Sequence, residues 1–563
     1  MGCCWFSYSI SLVPVEGRNM SDRDSHASVA HSAAVHPPLS VPTTTIAVMA
    51  VGLVGSTISS QLVDLDIADI GGAFSLSADN ASWIACAATM AEVASIPIAA
   101  LLVRALSLRR LAMFTASIYV ACACLSLLVR GEDGLIVLRV IQSFCSGTIS
   151  VLMFVAVVAT LPPGAGRNVA LSLFAFASAA PAALNASAGA FVTERWGWHG
   201  LYYFDITWGL TFLASSWRLL RPTPRAMRLS EIDWLGYIVL AIGLAAFILF
   251  MKQGDRFFWL ENRTIRDAGL VAAITIPAAV LLLLLRRRPL LDLGLLAAPT
   301  FGWAVTIATF YRFGLVMTAF VVPQVLMRLH GYRMPQIAEV NIWTFWAQCL
   351  SFPVAWLWAQ HGDARQPLSL GLALFAAGAA AATWLTPQWQ ASDFRLALVL
   401  VGLGQGLFLV PTLFYSTRDV KPEQGPTAAA LFNLSRIVGQ TFGTGVISVL
   451  ITDREDFHSA VLTDSVNNAS SAVAERFHGL VGSFLAMNGN PALATKEAWA
   501  SLSATVSNQA YVLAFADAFV IVAAVLAVSA LLVLMLPPLY PKYDTTTGAP
   551  ALAKPATASG GER

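Results

Sequence analysis

Charge is scarce in this chain. Asp, Glu, Lys and Arg together make up 12% of its 563 residues, where a soluble domain carries about 25%. A water-soluble globular protein is therefore excluded. The charges nearly cancel to a net +2, which leaves no basic surplus for a nucleic acid. Cysteine is sparse too. Cys86, Cys122, Cys124, Cys145 and Cys349 fall inside apolar stretches and Cys3 and Cys4 near the start, so no disulfide framework is indicated. The eight histidines include no H-E-x-x-H, and no Cys/His cluster has zinc spacing. No metal or cofactor site is expected. An intramembrane enzyme would need a nucleophile with its base, or metal ligands; neither is found. A sensor role is not favoured either, since no soluble signalling domain is attached.

Apolar residues fill the space that charge leaves. They make up 57% of the chain, and the mean hydropathy is +0.68, the signature of a polytopic membrane protein. Stretches long enough to cross a bilayer lie near 43–63, 82–103, 111–129, 135–158, 168–191, 200–218, 234–252, 267–285, 300–326, 337–359, 367–386, 396–416, 428–451 and 512–536. Fourteen spans put both termini on one side. The basic residues Arg104, Arg109, Arg110, Arg167, Arg218, Arg221, Arg225, Arg228, Arg286, Arg287 and Arg288 fall in loops of one set. The first loop of the other set carries Asp64, Asp66, Asp69 and Asp79 and no basic residue. The positive-inside rule then places both termini in the cytoplasm. Residues 1–41 and 538–563 read as cytoplasmic tails. The first lacks the basic-then-apolar order of a cleavable signal peptide, and Met20 offers a second start. The one long loop, 453–509, is expected outside.

Two segments repeat. Ser95-Ile-Pro97-Ile-Ala99-Ala-Leu101 runs on to Arg109, and Ser351-Phe-Pro353-Val-Ala355-Trp-Leu357 runs on to Arg365, at a constant offset of 256 residues. A membrane helix repeated half a chain later points to duplication, the body plan of many secondary transporters. The offset predicts a six-helix bundle over 42–226, a two-helix insert over 227–290 and a second six-helix bundle over 291–537.

Several motifs resemble those of the major facilitator superfamily, and more closely its fourteen-span drug:proton antiporters of the EmrB/QacA type. Trp83 through Arg110 follows the second span and its loop. Leu138-Arg139 with Gln142 and Gly147 follows the arginine motif of the fourth span. Pro181 through Gly189 is a worn form of the antiporter motif. Asp233-Trp-Leu-Gly236 with Gly254-Asp-Arg-Phe-Phe-Trp259 follows the central insert, and Pro422 through Asn433, Arg436 and Gly439 follows span 13. The resemblance implies an all-α major facilitator fold of two pseudo-symmetric six-helix bundles plus two central extra helices. It implies efflux of drugs or toxic amphipathic compounds in exchange for protons across the inner membrane. It also implies a periplasmic adaptor protein and an outer-membrane channel as partners. Two departures stand out. The family's first span reads L-D-T-T-I, whereas here Gly55 takes the place of the acid in Val54-Gly55-Ser56-Thr57-Ile58. In the gating loop Ala100, Arg104 and Ser107 replace Gly, Asp and Gly, while Arg109 and Arg110 remain. Asp363 and Arg365 keep the acid and base of the second copy. A specific importer or an uncoupled facilitator of the same fold is the alternative reading.

Ionisable groups at bilayer depth are costly and persist where they face a cavity or a partner. Glu92 lies mid-span, and its repeat equivalent is Gln348, so the helix itself does not require the acid. It reads either as a proton carrier or cation-binding acid replacing the one missing at position 55, or as a polar residue satisfied between helices. Asp205 and Asp517 occupy pseudo-equivalent spans with aromatic neighbours. They read as two acids of one central cavity or as interfacial residues. Arg139 stays charged; it can hold an ionised carboxylate but cannot carry the proton. Arg436 matches a family position, whereas Arg312 has no counterpart there. Asn185 and Gln405 are expected to serve packing. Arg109, Arg110, Gln142, Pro181, Asp363, Arg365 and Asn433 are expected in structural or gating roles.

Overall fold

A computed structural model describes residues 40–536, apart from 66, 162–163, 222–226, 287–288 and 467–470. The expected tails, residues 40–41 aside, and Asp66, Arg225, Arg287 and Arg288 lie outside the described residues. The described chain is helical throughout. In the first half α1 (Ser40–Leu65) is followed by the short α2 (Ile67–Ala73), then α3 (Ala78–Leu106), α4 (Leu108–Ser126), α5 (Glu132–Thr160), α6 (Ala165–Trp196) and α7 (His199–Leu219). Then come α8 (Trp234–Gln253) and α9 (Arg263–Leu285). The second half holds α10 (Gly294–Ala297), α11 (Pro299–Gly314), α12 (Val322–His330), α13 (Met334–His361), α14 (Arg365–Ala381), α15 (Arg395–Thr417), α16 (Gly425–Ser465), α17 (Ser471–Asn488) and α18 (Pro491–Leu534).

Among the described residues, twelve helices are long and apolar enough to cross a membrane, with α11 and α12 counted as one 32-residue helix joined through a π-turn at Met317–Val321. Helices α7 and α13 match them in length, at 21 and 28 residues. Their hydropathy is diluted by Asp205 and by Glu339, Asn341 and Gln348. Together these make the fourteen membrane-length helices expected from the sequence. Local chemistry sets their ends. The Ser77 hydroxyl accepts the Asn80 N–H at 3.2 Å and caps α3, and Asp233 and Asn262 cap α8 and α9 in the same way.

The helices pack as two similar sets. In the first, α3 lies on α5 and α4 on α7; in the second, α13 lies on α15 and α14 on α18. Between the sets α6 meets α13 and α16 meets α3, an exchange of equivalent helices consistent with a pseudo-two-fold relation. Close approach rests on small residues. A Cβ on Gly147 of α5 would meet the Glu92 carbonyl at 2.6 Å, and one on Gly402 of α15 would meet the Thr344 carbonyl at 2.5 Å. Helix α8 packs on α3 and α16, and α9 on α8. These two are the least covered of the membrane-length helices, with 33% and 22% of their apolar windows buried.

Among the described residues, the expected loop over 453–509 is mostly helical. Helices α16 and α18 run for 41 and 44 residues, roughly 60 and 65 Å at the helical rise. A bilayer core is about 30 Å thick. The two helices therefore continue well past any membrane, with α17 packed against α18.

Candidate functional site

A cavity of about 150 Å³ lies where α6 of the first set faces α11, α13, α15 and α16 of the second. Its wall from α6 is made of alanines with Ser178 and Asn185, next to the helix-interior Pro181. A proline removes a helical hydrogen bond and perturbs the ladder. The opposite wall includes Thr318 and Ala319 of the π-turn, an irregularity frequent at functional sites. The remaining lining mixes apolar residues such as Leu315 and Ile337 with polar ones. Asn185 Nδ2 donates to Gln61 Oε1 at 2.9 Å, and Gln348 Nε2 to Gln405 Oε1 at 2.6 Å. Asn185 Oδ1 and Gln348 Oε1 are buried without a partner. Asn185 and Gln405, expected to serve packing, thus both face this cavity.

Two arginines line the same space. Arg436 of α16 donates from Nη2 to Glu92 Oε1 of α3 at 2.9 Å, with side chains 14% and 11% exposed. This ion pair joins the two sets of helices. Arg312 of α11 is 5% exposed, and its Nη2 has no hydrogen-bond partner. Its guanidinium stands 5.4 Å from the Tyr311 ring centroid.

Asp205 of α7 is buried, at 2% exposure. Its Oδ2 stands 3.4 Å from Arg139 Nη1 and accepts from Gln142 Nε2 at 2.7 Å. Arg139 also donates to Gln142 Oε1 at 2.9 Å and to the Ser59 carbonyl at 2.8 Å. The Ser59 hydroxyl bonds the Tyr119 hydroxyl. The network ties α1, α4, α5 and α7 together inside the first set. Asp517 of α18 sits apart. Its Oδ2 accepts from Arg454 Nε at 2.6 Å and lies 2.8 Å from His458 Nε2, both on α16. Neither Asp205 nor Asp517 is among the residues that line this cavity; each is held by partners on its own side of the molecule.

The missing acid of α1 has a physical counterpart. Trp208 fills the space beside Gly55, its Nε1 donating to the Val51 carbonyl at 2.8 Å. Any Cβ on Gly55 would overlap that indole. The loop arginines act as a symmetric pair. Arg109 donates from Nη2 to the Trp217 carbonyl near the end of α7, at 2.7 Å. Arg365, its repeat equivalent, donates from Nη1 to the Leu536 carbonyl just past α18, at 2.6 Å, and pairs with Asp363 at 2.7 Å. Arg110 is exposed, and Asn433 is buried, its Nδ2 donating to the Ala429 carbonyl at 2.9 Å. At the end of the bundle below the cavity, Arg167 donates to the Thr417 carbonyl at 3.2 Å. There Phe154 also stacks on Phe432 with centroids 5.8 Å apart. These contacts close that end across the two sets.

Known proteins share this architecture. The chain is 21% identical over 422 residues to the multidrug export protein EmrB of Escherichia coli K12, covering 73% of this chain and 80% of that protein. It is 22% identical over 456 residues to the fatty acid resistance protein FarB of Neisseria gonorrhoeae, covering 78% and 87%. Among solved structures, the proton:xylose symporter XylE superimposes with a TM-score of 0.53 at 12% identity, over 89% of this chain and 96% of that one. The model of the Major Facilitator Superfamily matches residues 43–444, and with that match over most of the helical body, this chain, a multi-pass membrane transporter, belongs to the Major Facilitator Superfamily.

Proposed function

We propose that this protein exports amphipathic compounds across the inner membrane in exchange for protons, by alternating access of its two six-helix sets, 42–226 and 291–537. The observation that carries the reading is the Glu92–Arg436 ion pair, which bridges the two sets beside the central cavity. While Glu92 is ionised it holds α3 to α16. Breaking a buried pair by removing one charge costs about 3–5 kcal/mol, so ionised Glu92 resists separation of the sets. A proton taken up by Glu92 removes the charge and loosens the lock, and its release on the opposite side restores it. Arg139 and Asp205 hold the first set rigid while it moves. The names of EmrB, a multidrug export protein, and FarB, a fatty acid resistance protein, favour efflux of drug-like or fatty compounds. Both termini lie in the cytoplasm in this reading. The projecting α16–α17–α18 segment is the docking surface for a periplasmic adaptor that leads to an outer-membrane channel.

The test uses everted vesicles with an imposed inside-acid gradient and a pH-sensitive dye. Amphipathic compounds are expected to evoke proton release from the wild type and none from Glu92→Gln at equal expression. Release that persists in Glu92→Gln would place the proton site elsewhere, with Asp205 and Asp517 next in line. No release with any compound would favour the importer or the uncoupled facilitator.

A further inference from the structure

Arg312 is a buried cation that the protein does not neutralise. A guanidinium stays ionised at any physiological pH, and an isolated charge out of water is strongly disfavoured unless paired. Among the described residues no carboxylate stands within ion-pairing distance of Arg312, and no hydrogen bond involves it; only the face of Tyr311 approaches. The other arginine of the cavity, Arg436, already has its counter-ion in Glu92. The lining contains no Asp or Glu. The cavity therefore carries one uncompensated positive charge, and a cationic ligand would meet repulsion without attraction. Around that charge the walls divide. Asn341 and Gln440 add polar groups to the lining, while Ala183 and Leu315 add apolar surface.

We infer that this cavity binds the anionic head of an amphipathic carboxylate, with Arg312 as its counter-ion and the apolar walls taking its hydrocarbon part. Here Arg312 is a specificity-determining residue, and the export reading gains a substrate class: organic anions rather than organic cations. The inference rests on the export reading for direction only, since binding needs no gradient.

The experiment places the full-length protein in lipid nanodiscs and measures saturable binding of radiolabelled 4-phenylbutyrate. Unlabelled 4-phenylbutyrate should displace it. The neutral 4-phenylbutyramide should need at least about tenfold more, a charge-assisted hydrogen bond being worth roughly tenfold or greater in affinity. The cation 4-phenylbutylamine should not displace it at all. Acetate and chloride, which carry the charge without the hydrocarbon, should compete only weakly. Arg312→Gln should lose carboxylate affinity by at least about tenfold while binding the amide as before, and Arg312→Lys should recover part of the loss. Should Arg312→Gln fail to give a monodisperse protein, the head-group series on the wild type and Arg312→Lys decide the matter. Displacement by the amine as effective as by the carboxylate would overturn the inference, as would an Arg312→Gln protein that binds the carboxylate like the wild type or an absence of carboxylate binding. Equal competition by chloride or acetate would overturn the amphiphile assignment and leave a site for small anions. Carboxylate binding without substrate-evoked proton release sinks antiport and leaves this inference standing. Proton release evoked only by cations does the reverse.

Discussion

Glu92 and Ser107 show how far a single position depends on its surroundings. The sequence marks Glu92 as costly, because it lies mid-span and its repeat partner is the neutral Gln348. Its partner, Arg436, is 344 residues away, and no local pattern joins them. Arg312 is equally visible as a charge in an apolar helix. Whether it is paired depends on which side chains four other helices bring near it, and spacing carries none of that information. Ser107 is a different case. It takes the place of a glycine in the motif that this loop resembles, yet its backbone keeps a φ of 76°. A left-handed conformation of this kind costs a non-glycine residue about 1–3 kcal/mol. Ser107→Gly is therefore expected to stabilise the protein by about 1 kcal/mol, read as a rise in the thermal midpoint of the detergent-solubilised protein. An unchanged or lowered midpoint would show that the loop holds no such strain.

Helices carry the repeat. The Ser-x-Pro-x-Ala signature of α3 and α13 was legible because both helices must pack small residues against the same neighbour, α5 or α15. The reach of the arginine at the end of each copy was not legible. Arg109 and Arg365 bond the last carbonyls of α7 and α18, groups that no intrahelical donor satisfies. A cation there also meets the negative end of the helix dipole. Arg109→Ala is expected to lower stability by about 1–2 kcal/mol and Arg365→Ala by at least as much, since it also leaves Asp363 without its partner; the two losses should add, because the loops belong to different helix sets. Thermal unfolding of the single and double variants checks this. A large loss from one and none from the other would mean the two loops are not equivalent. The hydropathy of α7 and α13 is diluted by Asp205 and by Glu339, Asn341 and Gln348, yet their apolar stretches, 200–218 and 337–359, were long enough to be read as spans. The extensions of α16 and α18 were read as part of a long loop because polar residues spaced along a projecting helix look the same as those of a loop.

The whole molecule is two sets of helices that meet across a cavity, closed at one end. There a Cβ on Gly425 of α16 would stand 3.4 Å from Val158 Cβ of α5, close to the separation a disulfide spans. In a background without the native cysteines, Val158→Cys with Gly425→Cys is expected to cross-link under mild oxidation and to stop transport, and a reductant should restore it. Transport that continues in the fully cross-linked protein would show that this end need not open, which excludes alternating access through it.

Composition and periodicity alone determined that the chain crosses a membrane about fourteen times, that its halves repeat and that Glu92, Arg139 and Arg436 sit where charge is expensive. Each of those properties is written in the order of residues along one helix or in the spacing between two. Only the tertiary structure decided that Glu92 pairs with Arg436 across the halves, that Asp205 turns inward to Arg139 while Asp517 joins Arg454, and that Arg312 faces a cavity with no counter-ion. The pairing of a buried charge is set by distances between helices that are remote in sequence, and low-dielectric surroundings make those few distances decide the energy.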